Sequence, residues 1–187
     1  MEEIKNKFEA IKNDETKDLS LITKPYQEVK AEIEIFLESN AGFSYWFCDE
    51  KDNPEALSNR LKFDFKDHNP HELVLSMTTD NGNLDIDPWE SEIIPYANKL
   101  SQAQIQKAIL ILRIDQIPPN NIALFLRELV VGIDHYIEKS AGEKRYPLIL
   151  ITPKNWLSLF LTNNEETMPN WQGFKSRLFS INVINEY

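Results

Sequence analysis

Asp49 closes the apolar run Phe43-Ser44-Tyr45-Trp46-Phe47-Cys48, and Asp64-Phe65-Lys66 follows fifteen residues later with an acid and a lysine two positions apart. Two carboxylates and a lysine on neighbouring strands can hold a magnesium ion and polarise a water for phosphodiester cleavage. Asp67, His68 and His71 form a second group, in which a His-x-x-His spacing can ligate zinc. Structural zinc needs about four ligands, and no cysteine pair or second histidine pair supplies the remainder. No metal and no other cofactor is therefore expected. The third group is Asp85, Asp87, Trp89, Glu90 and Glu92, the most acidic short segment of the chain. Carboxylates pair with Arg or Lys of a partner, and tryptophan is a favoured anchor at binding hot spots. These five residues are the expected partner-binding site. The single cysteine, Cys48, cannot form an intrachain disulfide, and its apolar neighbours suit a small buried hydrophobe.

The elements that must position these groups can be read from periodicity. Ile4, Phe8 and Ile11 recur at helical spacing, and Thr23 with Pro25 looks like the start of a second helix carrying Tyr26, Val29, Ile33, Phe36 and Leu37 on one stripe. Residues 1–40 are thus expected to be a helical N-terminal segment of one 187-residue domain. Asn53-Pro54 opens a short helical or turn segment. Leu61 to Lys66 alternates apolar and polar, the period of a half-buried strand, and Leu73-Val74-Leu75 supplies an antiparallel partner. Asp80-Asn81-Gly82-Asn83 is a turn by composition, and Ile93 to Gln106 is mainly helical. Ala108 to Ile114 is an aliphatic run interrupted only by Arg113, the mark of a strand buried on both faces, and Tyr146 to Thr152 is a second buried strand. Between them lies an apolar helix reaching about Lys139, and a crossover of this kind makes a parallel βαβ unit. Ile181 to Ile184 is expected as a last, edge strand. The fold class expected is α/β: a mixed sheet of about five strands with its parallel centre at 108–152 and an N-terminal helical pair.

An aliphatic strand ending in Asp115, then a helix, then a strand ending in Thr152 resembles the latter half of a P-loop ATPase core. That resemblance implies that Asp115 stands where the family holds magnesium. The chain departs from the family at its decisive part, because no G-x-x-x-x-G-K-[ST] occurs. Without that loop no backbone nest cradles phosphates, so the resemblance implies a degenerate, non-hydrolysing regulatory relative. Asp49, Asp64 and Lys66 resemble the barest form of the PD-(D/E)xK nuclease pattern, with its proline missing. Asp80 to Asp87 is rich in oxygen ligands but lacks the sixth-position glycine and twelfth-position glutamate of an EF-hand loop.

Charge separates these readings. Twenty basic residues stand against 30 acidic ones, a net of −10. That sign opposes the phosphate-neutralising surface of a general nucleic-acid binder and attraction to anionic membranes. It suits steering towards a basic protein partner. The first residues are charged throughout, and no stretch approaches the roughly 18 apolar residues of a membrane span. A cytoplasmic, non-catalytic acidic binding module is the leading expectation, with a compositional resemblance to bacterial immunity proteins. A divergent metal-dependent nuclease and a degenerate nucleotide-binding-type regulatory domain are the alternatives.

Overall fold

The computed structural model describes residues 22–39, 44–76, 78–80, 83–85, 94–105, 107–116, 146–154 and 178–186. The expected helices at 2–12 and 120–139 and most of the acidic segment lie outside them. In chain order the elements are β1 (Ile22–Pro25), α1 (Tyr26–Ser39), β2 (Ser44–Asp49), α2 (Pro54–Asp64), β3 (Pro70–Ser76), β4 (Thr78–Asp80), β5 (Asn83–Asp85), α3 (Ile94–Gln102), β6 (Ile109–Gln116), β7 (Leu148–Ile151) and β8 (Leu178–Asn185). The protein is an α/β fold. Six strands form one sheet in the order β1-β8-β2-β7-β6-β3, and β4 with β5 makes a separate two-stranded ribbon.

Every neighbouring pair in the main sheet is parallel. Strands buried on both faces are uniformly apolar, which is why Leu148 to Ile151 is aliphatic at every position and fully buried. Alternate side chains of β2, β6, β7 and β8 then face opposite layers. Tyr45, Phe47, Ile109, Ile111, Ile149, Ile151 and Ile184 join a core with Tyr26, Val29, Ile33, Phe36 and Leu37 of α1 and with Leu57, Leu61 and Phe65 in and after α2. The opposite set, including Trp46, Cys48, Leu110, Leu112, Leu148 and Leu150, is equally buried. Each such large side chain contributes about 1.5–3 kcal/mol relative to exposure.

The structure corrects four expectations. Residues 61–66 are not a strand but the end of α2 and the turn after it, and the antiparallel hairpin expected within 43–77 is absent because β3 pairs in parallel with β6. The alternation Leu61, Phe63, Phe65 misleads. The buried positions are Leu57, Leu61 and Phe65, four apart on one helical face, while Phe63 is 69% exposed. Thr23 and Pro25 belong to β1 rather than to a helix start; proline is tolerated there because β1 is an edge strand. Finally, β8 is an interior strand, held between β1 and β2.

Two ionic clasps fix α2 against the sheet and α1. Glu72 of β3 accepts hydrogen bonds from the Ser58 hydroxyl at 2.7 Å, from Lys62 and from Arg113 of β6 at 3.4 Å. At the other flank Asp64 accepts from Arg60 Nε at 2.9 Å and lies 4.0 Å from Lys30 of α1. The Arg60 guanidinium also sits 5.4 Å from the centroid of the Tyr26 ring.

Candidate functional site

In open parallel α/β sheets, ligands bind outside the carboxyl ends of the strands, where connections from neighbouring strands leave in opposite directions. Here that place lies between β2 and β7. From β2 the chain crosses to β3 at one edge, whereas from β7 it crosses past β2 to β8 on the other side. The two segments that border this crevice are Asp49 to Asn53 after β2 and Thr152 to Lys154 after β7.

The first segment is short because β2 must hand over to a helix within four residues. Asn53 caps α2 by accepting from Ala56 N at 3.0 Å, and Pro54 occupies the first turn, where its missing donor costs little. Asp49 is only 1% exposed and turns its carboxylate back over this loop. One oxygen accepts from Lys51 N at 3.2 Å and the other from Asn53 N at 2.7 Å. The Asp52 N–H donates to the Asp49 carbonyl at 3.0 Å, with Asp52 in the left-handed region at φ 56°. Aspartate is among the few residues that tolerate that conformation.

The second segment bridges the crevice. Lys154 donates its backbone N–H to Asp52 Oδ1 at 2.9 Å and its Nζ to the Glu50 carbonyl at 2.8 Å. Thr152 N donates to the Phe47 carbonyl at 3.1 Å, which continues the ladder beyond β7. Beneath, the Thr152 hydroxyl accepts from Trp46 Nε1 at 2.6 Å and lies 3.2 Å from Cys48 Sγ. The third strand end is tied in as well, because Glu50 N donates to the Ile184 carbonyl at 2.9 Å. The ends of β8, β2 and β7 are thus knitted together by the chain's own groups. An anionic carboxylate sits on the loop amides, where a phosphate-binding loop would present its amides to a ligand.

Burial sets the electrostatics of neighbouring groups. Desolvation pushes the Cys48 thiol up to about 12, a rise that hydrogen bonding to Thr152 only partly offsets. A thiol held neutral this way is a poor nucleophile. Desolvation, with the nearby charge of Glu32, raises Tyr45 well above the usual phenol range. For Glu72, burial alone would raise the carboxyl, but hydrogen bonds from Lys62 and Ser58 and the charges of Lys62 and Arg113 hold it below the ordinary glutamate range. Asp64 is lowered in the same way: burial opposes, while the hydrogen bond from Arg60 and the charges of Lys30 and Arg60 prevail.

The residues singled out from sequence fall in separate places. Asp49 lies at the N-terminal end of α2 and Asp64 is its last residue, so the helix stands between them, about 16 Å for 11 residues. Lys66 is exposed in the turn beyond. The acid–acid–lysine trio is therefore not brought together. His68 meets the Phe65 ring edge-on at 5.7 Å, and His71 stacks on Tyr96 at 4.0 Å. Among the described residues no three His, Cys, Asp or Glu side chains are grouped to hold a metal ion, Asp67, His68 and His71 included. Asp115 is the penultimate residue of β6 at the same edge of the sheet as the crevice. Asp85 lies in β5, paired with Thr78, while Asp87, Trp89, Glu90 and Glu92 lie outside the described residues. Sequence reasoning passed over Asp52 and Lys154, and it read Asn53 only as the start of a helical or turn segment. The available signal was the spacing from Asp49 to the N–H two residues on, the pattern of a side chain closing its own turn.

No known protein-family model matches the chain, and no curated protein matches it in sequence. Among the described residues no helix is long and apolar enough to cross a membrane.

Proposed function

We propose that this protein is a non-catalytic binding module built on a degenerate nucleotide-binding-type core. The observation that carries the reading is the Asp49 carboxylate, which accepts from the Lys51 and Asn53 amides at the switch-point crevice. A nucleotide phosphate would have to displace a buried carboxylate of its own charge sign from those donors. Lys154 also ties the end of β7 to the β2–α2 loop through its bonds to Asp52 and Glu50. The module then acts through its surface. With a net charge of −10 its expected partner is a basic protein, in the manner of an immunity or antitoxin protein, and Asp85, Asp87, Trp89, Glu90 and Glu92 are the proposed contact segment.

Two experiments test the two halves of this reading. In calorimetry with ATP or GTP and magnesium, and in a phosphate-release assay, the purified chain is expected to give no heat of binding and no hydrolysis. Turnover or micromolar binding would overturn the degenerate-core reading. Capture from the native host at low salt, followed by a salt gradient, is expected to release a basic protein. Association with that protein that does not weaken as salt rises would overturn the electrostatic half.

A further inference from the structure

We draw no further inference here: the strongest candidate, the amide hollow at the N-terminus of α2 in the β2–α2 loop, belongs to the site already described and is filled by the chain's own Asp49 carboxylate.

Discussion

Replacing Asp49 with alanine tests whether its carboxylate is what holds the β2–α2 loop in place. The side chain is 1% exposed and accepts two backbone hydrogen bonds, from Lys51 N and Asn53 N. Hydrogen bonds to a charged acceptor contribute about 1.5–3 kcal/mol each, but the loop is partly open to water, which can replace some of the loss. The carboxylate also lies at the positive end of α2, where an anion adds about 0.3–1 kcal/mol. A loss of about 3 kcal/mol is therefore expected for Asp49→Ala, which lowers Tm by about 6–12 °C in a chain of this size. Asp49→Asn keeps one oxygen acceptor and turns an amide donor towards the other N–H, so its loss should fall between wild type and alanine. Urea denaturation gives the free energies. Amide hydrogen exchange gives the location: the Lys51 and Asn53 amides should lose protection while the interior of β2 keeps it. An alanine variant within about 0.5 kcal/mol of wild type, or Lys51 and Asn53 amides that already exchange freely in the native protein, would refute the reasoning.

Three further outcomes follow from the same structure. Glu72 has a lowered folded-state pKa, so its contribution is present above the ordinary glutamate value and is lost as pH falls through the folded value. Urea melts at pH 7 and at a pH below the ordinary glutamate value of about 4.3 should show wild type losing more stability than Glu72→Gln, whose own deficit at pH 7 is about 1 kcal/mol after solvent screening; parallel losses would contradict this. With its pKa near 12, Cys48 should react with an aromatic disulfide at pH 8 at least about 1,000-fold more slowly in the native protein than in denaturant. Rapid native labelling would show that Cys48 is neither buried nor held neutral. Thr152→Val removes the acceptor of the Trp46 indole N–H and should cost about 1–3 kcal/mol, while Thr152→Ser retains the hydroxyl and recovers most of it. Equal stability of the serine and valine variants would show that the hydroxyl bond contributes nothing.

What could be read ahead of the structure was whatever a single short segment dictates. The largely apolar runs at 108–114 and 146–152 announce strands buried on both faces, and they pair in parallel as β6 and β7. The stripe Tyr26, Val29, Ile33, Phe36, Leu37 is the buried face of α1. Where two local patterns competed, the choice went wrong. Leu61 to Lys66 satisfies the strand period, but Asn53 capping and Pro54 had already begun a helix, and Leu57, Leu61 and Phe65 continue its inner face. Strand order was beyond reach for a different reason. Ile22 to Pro25 spans four residues, and only pairing with Asn182 to Asn185 makes it a strand. Because that strand takes the edge, β8 becomes interior.

The candidate site was hidden by the same logic. Trp46 and Thr152 lie 106 residues apart, and no spacing rule joins them. Asp49 was visible as an acid at the end of a strand, and it invited a catalytic reading. Its role depends on which donors surround it. The nearest described donors are the loop amides and not the lysine of a catalytic pair, because α2 carries Asp64 and Lys66 to the opposite end of the sheet. A strand-end acid in a parallel sheet faces the crevice where such folds bind ligands. When the loop after it is too short to form a phosphate nest, the acid can satisfy the exposed amides itself. In the β2–α2 loop the Asp49 carboxylate does this by accepting from Lys51 N and Asn53 N, and Lys154 ties the same loop to the end of β7 by donating to Asp52 and Glu50.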